Sequence, residues 1–304
     1  MLNIILGAIA LGSLWAVMTM GVYITFRLLD IADLSVEGTL VTGAAVGAVC
    51  ITGGMNPWAG TLLALLVGLI CGAVTGLLHT KLKIPALLAG ILTMIALYSV
   101  NLRIMGRANI ALLNTTNVFT PLEGLPFMPL LAEHGIMTKN VAILICGLLI
   151  CLVVSAILYW FFGTELGSAI RATGNNPQMV RAQGVNTDTM ILLGLMLSNG
   201  LVAMSGALIA QNQSYADVQM GTGAIVIGLA SVIIGEVLFG TKSFKRTLLS
   251  LTLGAITYRV IIALVLKAGM PANDLKLFTA ITVAICLALP QIKAWWNKLK
   301  GGKK

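Results

Sequence analysis

The chain has 304 residues, of which 58% are hydrophobic and only 10% charged, with a formal net charge of +9. A water-soluble domain carries about 25% charged residues, so this composition excludes one. Its apolar runs are continuous and about 20 residues long rather than short and alternating, which also excludes a lipid-embedded β-barrel and leaves an all-α polytopic membrane protein.

Nine apolar segments predict nine transmembrane helices, over 2–26, 35–53, 57–78, 84–105, 140–162, 189–211, 221–240, 247–267 and 275–290. The first, MLNIILGAIALGSLWAVMTMG, has no basic leader and is too long for the apolar core of a signal peptide, so it counts as a span. The second, 35–53, and the seventh, 221–240, are Gly-rich and open on polar residues. One or both are expected to be broken or re-entrant, a form tolerated only where it is buried in protein or lines a cavity. In the third segment Gly68, Gly72 and Gly76 share one face, which suits close packing against a neighbouring helix or a second copy of the chain, with a substrate groove as the alternative. The stretch 107–140 mixes Pro121, Pro126 and Pro129 with apolar residues and predicts a short helix lying on the membrane surface. It serves either as a partner-binding loop or as a cap on the bundle.

Orientation follows from the basic residues. With 163–188 on the cytoplasmic side, thirteen of the 19 Lys and Arg fall on that side, five on the outer side and Arg259 within a span. The positive-inside rule then puts the N-terminus outside and the C-terminus inside. Residues 1–290 read as one membrane domain, with 106–139 as its extracellular loop. Residues 291–304 read as a basic cytoplasmic tail in which Trp295 and Trp296 suit the interface and the lysines suit anionic headgroups. The net charge is thereby accounted for by membrane orientation, and no nucleic-acid partner is implied.

No catalytic constellation survives inspection, which points to a transport subunit rather than an enzyme. The five cysteines lie in apolar runs without a CxxC or Cys/His cluster, so neither a disulfide framework nor a metal site is expected. His79 and His134 fall on opposite sides of the membrane in this topology. Gly240-Thr241-Lys242-Ser243 lacks the order and glycine spacing of a phosphate loop. Ionisable groups inside spans are costly unless they find partners or water. Glu236 and Arg259 are therefore expected either to pair with each other or to face a solvated pathway. The polar residues of the two Gly-rich segments, Ser35, Glu37, Thr42 and Ser231, join Glu236 and Arg259 as candidate pathway residues.

One polar module interrupts this pattern, RATGNNPQMVRAQGVNTD from Arg171 to Asp188. Asn176 followed by Pro177 is a helix start, because Asn accepts from orphan backbone donors and Pro fits the first turn. Gly184 suits the stop, and Asn186 and Thr187 can cap the next span. The result is a two-turn helix too short to be stable alone, with Met179 and Val180 as an apolar face and Arg171 and Arg181 as donors. Such a helix fits docking to a cytoplasmic partner.

The residues Glu165, Gly167, Arg171, Ala172, Gly174, Asn176, Ala182, Gly184 and Val185 resemble the coupling loop of permease subunits of ABC importers of the branched-chain amino acid, ribose and nucleoside type. Ala32 to Thr39, ADLSVEGT, resembles that family's signature after its first span, and Gly221 to Glu236, GTGAIVIGLASVIIGE, its Gly-rich segment in the second half. The resemblance implies a pathway formed by two permease copies and two ATPase subunits beneath them that bind the ATP and Mg, with no cofactor in this chain. It also implies an extracellular or periplasmic substrate-binding protein and a bacterial cytoplasmic membrane. The coupling set would be Glu165, Gly167, Arg171, Ala172, Gly174, Asn176, Pro177, Met179, Arg181 and Gly184. A loose likeness between 34–48 and 221–235 suggests an internal repeat. The glutamate of the DLSVEG form resembles permeases for tryptophan or other amino acids, with a nucleoside or sugar as the alternative substrate. A secondary transporter or channel that needs no ATPase, and a membrane scaffold without transport, are the competing classes.

Overall fold

A computed structural model describes residues 1–113, 115–124, 129, 137–269, 274, 277–281, 284 and 288. The ninth expected span lies largely outside the described residues, and the basic tail wholly so. Among the described residues, seven helices are long and apolar enough to cross a membrane. They are α1 (Leu2–Tyr23, extended by a π-helical turn at Ile24–Leu28), α2 (Ser35–Thr52), α3 (Pro57–Thr80) and α4 (Ala86–Met105). After the strand β1 (Asn109–Ala111) and the single turn α5 (Thr120–Glu123) comes α6 (Thr138–Phe161), the fifth of them. Two short helices, α7 (Glu165–Asn175) and α8 (Pro177–Ala182), precede the sixth, α9 (Thr187–Gln213). Strand β2 (Tyr215–Asp217) leads to the shorter apolar helix α10 (Ala224–Phe239), and α11 (Phe244–Lys267) is the seventh long helix.

The all-α expectation needs one correction. Strands β1 and β2 pair antiparallel, with Ile110 opposite Ala216, and tie the end of α4 to the end of α9. Three-residue strands carry too short an alternation to stand out in sequence. Within 107–140 the described residues include a single helical turn at α5 before α6 begins.

Helix α9 is the hub of the bundle. It packs against α1, α2 and α3, and each contact runs along small residues. Glycines at 43 and 47 of α2 lie on Ala203 and Ala207, and Gly206 of α9 lies on the Leu40 carbonyl. The Gly68, Gly72 and Gly76 row of α3 lies on the backbone and side chains of Asn199, Leu195 and Leu192. That row is therefore occupied inside one chain, which settles the choice left open between a neighbouring helix and a second copy. Where helices gain nothing from expelling water, close backbone approach supplies the dispersion contact. The outward faces carry Leu62, Leu66 and Ile70 on α3 and Leu149, Leu152 and Ile157 on α6, all exposed in the isolated chain as lipid-facing side chains would be.

The two Gly-rich segments enter the bundle at depth. The connector before α2 is non-helical, and Leu34 and Asp33 press on Gly90, the fifth residue of α4. Ser35 also meets Asn199, which stands ~18 Å along α9 from Thr187 at 1.5 Å per residue. Helix α2 is thus unbroken but starts inside the bundle. Helix α10 likewise starts inside: Gly221 lies on the Glu37 carbonyl, and the chain reaches it from β2 without helix. One segment enters by a non-helical stretch from the end where α1 finishes, the other from the end where α9 finishes.

Candidate functional site

Two regions concentrate polar chemistry. The first is the end of the bundle where α1, α7, α10 and α11 meet. Three caps in succession shape it. The Thr164 hydroxyl accepts from the Gly167 N–H at 3.3 Å and starts α7. Asn176 Oδ1 accepts from the Met179 N–H at 3.0 Å and starts α8, with Pro177 in its first turn. Asn186 Oδ1 accepts from the Asp188 and Thr189 N–H groups at 3.0 and 3.3 Å and starts α9. Gly184, at φ +83, supplies the left-handed residue that ends α8.

The remaining residues of the expected coupling set fall around these caps. A Cβ at Gly167 would collide with the Phe161 carbonyl oxygen, and one at Gly174 with that of Leu28, so α7 lies tight against the ends of α6 and α1. The Arg171 guanidinium stands 5.3 Å from the Phe244 ring centroid, which in turn meets Phe162 edge-on. Arg171 borders clefts beside Leu28, beside Lys245 and beside Glu236. Ala172 lines the first of these clefts, and Glu165 is exposed. On α8, Val180 is buried while Met179 is 45% exposed, so one apolar residue anchors the helix and the next is left outward. Arg181 is tied to its own chain: Nε donates to Thr187 Oγ1 at 2.6 Å, and NH2 lies 3.3 Å from Asp188. Asp188 also pairs with Lys83 at 3.0 Å, fastening the loop to the α3–α4 connector.

The expected pair of Glu236 with Arg259 does not form. Glu236 binds Arg27 at the end of α1, because both stand at the same end of the bundle. Arg259 lies deeper in α11, with its guanidinium 4.0 Å from the Trp15 ring centroid. Neither Arg259 Nε nor Trp15 Nε1 has a hydrogen-bond partner among the described residues. A ring face attracts a cation by its quadrupole, and here it takes the place of a carboxylate.

The second region surrounds the start of α2. Asp33 is fully enclosed and accepts from the Ser35 N–H at 2.9 Å, the Ser35 hydroxyl at 2.6 Å and Asn199 Nδ2 at 2.8 Å. One turn on, Glu37 Oε1 accepts from the Gly223 N–H at 2.9 Å, joining the starts of α2 and α10. Glu37 also lines a pocket of about 420 Å³ with Gly38, Val41, Met94, Tyr98, Asn101 and Gly221 among its walls. Of the six candidate pathway residues, only Glu37 reaches this pocket. Ser35 is held in the Asp33 network, and the Thr42 and Ser231 hydroxyls donate to the carbonyls of Gly38 and Ile227 on their own helices. Tyr98, Asn101 and Asn199 were not singled out from sequence, and Asp33 stood there only as part of the ADLSVEGT stretch. The two asparagines carried a usable signal, since an amide within an apolar run needs a partner.

The model of a protein family described as "Branched-chain amino acid transport system / permease component" matches residues 4–288. The chain belongs to that family. A tyrosine transport system permease protein of Clostridioides difficile (strain R20291) is 41% identical to this permease over 90% of the chain and 86% of that protein. An uncharacterised protein of Rickettsia prowazekii is 31% identical over 94% of the chain and 98% of its own length. The autoinducer 2 import system permease protein LsrC of Yersinia pseudotuberculosis is 28% identical, covering 89% of the chain and 66% of that protein. Among solved structures, a metal-chelate type ABC transporter in an inward-facing conformation matches 96% of the permease with a TM-score of 0.50 at 18% identity, which shows a shared fold.

Proposed function

We propose that this permease is the membrane subunit of an ATP-driven ABC importer, working as a dimer in a bacterial cytoplasmic membrane. Two ATPase subunits that bind ATP and Mg dock beneath α8, and an external binding protein delivers the substrate. The substrate is an amino acid with an aromatic side chain. Membership of the permease family and the 41% identity to a tyrosine permease support the transport role and the substrate class.

The observation that carries the docking role is the form of α8. It is a six-residue helix with a side-chain cap at Asn176 and a left-handed stop at Gly184, and it leaves Met179 exposed. A helix this short does not persist by itself in water, so two separate fixings of one exposed turn are more than a connection needs. A partner groove that takes Met179 would use them. Arg171, seated between α7 and α11, and the Gly174 contact with Leu28 then give a pushed α8 a rigid path to the spans. A switch between inward- and outward-open states by rigid-body movement follows the same route.

The test replaces 177–183 with a Gly/Ser linker. The variant should insert and fold as the parent does, but an ATPase encoded with it should no longer co-purify. Retained association would remove α8 from the docking role. Substrate uptake by the reconstituted chain without any ATPase would overturn the importer assignment itself.

A further inference from the structure

The geometry points to the pocket between α2, α4 and the 218–222 stretch as a substrate subsite for a primary ammonium group, with Glu37 and Asn101 as its acceptors. This deepens the amino-acid reading above and rests on it.

The pocket lies next to the starts of α2 and α10 and opens on the face of α4 where Ile95 and Tyr98 are exposed. Beside the hydroxyls of Tyr98, Ser99 and Thr222, two acceptor-bearing side chains line it, Glu37 and Asn101. Asn101 is 1% exposed, and its Nδ2 donates to the Gly38 carbonyl at 3.2 Å. That bond fixes the amide orientation, because a carbonyl can only accept. Asn101 lines the pocket, and its Oδ1 is left buried with no hydrogen-bond partner among the described residues. A buried unpartnered acceptor is costly, so its presence calls for a donor.

Glu37 tells the same story with more charge. A carboxylate within a span is expensive and ordinarily pairs with a cation. The ion pairs found among the described residues join Arg27 to Glu236, and Lys83 and Arg181 to Asp188, so Glu37 has none. Its carboxylate accepts from the backbone of Gly223 and of Ile225, and its half-buried side chain lines the pocket. Two acceptor-bearing side chains, one anionic, therefore line a cavity of about 420 Å³. A group with several N–H donors and a positive charge satisfies both at once, as an ammonium does with its three donors.

The rest of the lining is mostly apolar or aromatic, with Val41, Met94, Ile95, Tyr98 and Val218 beside the hydroxyls of Ser99 and Thr222. Tyr98 is half exposed, so its ring can lie against a ligand. Thioether and ring contacts suit an aromatic side chain. The pocket offers the substrate's ammonium a fixed anchor, and its side chain a broad and less selective wall.

Glu37→Gln is the cleanest probe. Glutamine keeps an oxygen that can accept from the Gly223 N–H, so the joint between α2 and α10 is retained while the charge is lost. The full-length permease in lipid nanodiscs would be assayed by equilibrium binding of L-tyrosine, tyramine and 3-(4-hydroxyphenyl)propionate. The last two keep the ring but lack, respectively, the carboxylate and the ammonium. L-tyrosine and tyramine should bind and the propionate should not. Glu37→Gln should weaken L-tyrosine by at least tenfold, and Asn101→Ala severalfold. Tyr98→Ala, at a half-exposed position that does not threaten folding, should weaken it severalfold as well. Propionate binding equal to that of tyramine, or unchanged L-tyrosine binding by a folded Glu37→Gln, would overturn the subsite while leaving an amino-acid permease in place. Failure of all three ligands alongside saturable binding of uridine or ribose would overturn the amino-acid reading too.

Discussion

Gly174 and Gly184 belong to the same polar loop but are glycines for opposite reasons. Gly184 adopts φ +83 with nothing within 4 Å of where a Cβ would stand, so a side chain there meets a backbone cost and no clash. Gly174 has no unusual dihedral, yet its neighbour is the Leu28 backbone, which cannot move aside. The left-handed conformation costs an L-residue about 1–2 kcal/mol. Gly184→Val should therefore leave insertion and the melting temperature in nanodiscs nearly unchanged while weakening ATPase stimulation through a loosened α8. Gly174→Val should lower the melting temperature and the yield of folded protein. Equal effects of the two substitutions on melting would refute this division. The stop at Gly184 was legible because a glycine after a capped two-turn helix has one common use. The contact at Gly174 was not, because its partner comes from α1, and no local pattern reports a distant backbone.

At the scale of elements, the spans were legible because length and apolarity are the whole requirement for crossing lipid. Eight of the nine expected segments correspond to apolar helices, with ends displaced by a few residues. What escaped sequence reading were elements held by contacts rather than by pattern. Helix α7 sits in a stretch too polar to signal a span, and β1 and β2 exist because each supplies the other's backbone partners. The starts of α2 and α10 inside the bundle were anticipated as breaks, but the groups that make them tolerable, Asp33 with Asn199 and Glu37 with Gly223, appear only in three dimensions. Helix α8 gives the sharpest test of the local argument. Loss of an Asn cap costs about 1 kcal/mol, a large share of the stability of a six-residue helix. Asn176→Ala should speed amide hydrogen exchange over 177–183 severalfold and leave α9, capped independently by Asn186, unaffected. Unchanged exchange in α8 would mean that its packing through Val180, not its cap, holds it.

For the whole molecule, the decisive question is how a push on α8 reaches the substrate region. The connections run in a short series. Helix α7 lies on the end of α1 at Leu28, and Arg27 of that same end binds Glu236 of α10. The other end of α10 meets Glu37 of α2 through Gly223. Helix α2, one wall of the pocket, is thus attached through α10 and the end of α1 to α7, the helix that precedes α8. The Arg27–Glu236 pair is partly exposed, at 47% and 16% of the two side chains, so it contributes little to stability, on the order of 1 kcal/mol or less. Its place makes it a joint rather than a staple, one that can break and re-form during a cycle at small cost. If the ends of α1 and α10 must separate for transport, fixing them together should stop transport without touching docking. Cysteines replacing Arg27 and Glu236, bridged by a short bismaleimide, should abolish ATP-driven uptake in proteoliposomes while the ATPase still co-purifies. Either single-cysteine variant treated in the same way controls for the permease's own cysteines and should retain uptake. Full uptake by the bridged protein would show that α1 and α10 move as one body, and the route from α8 to the pocket would then have to run through α9.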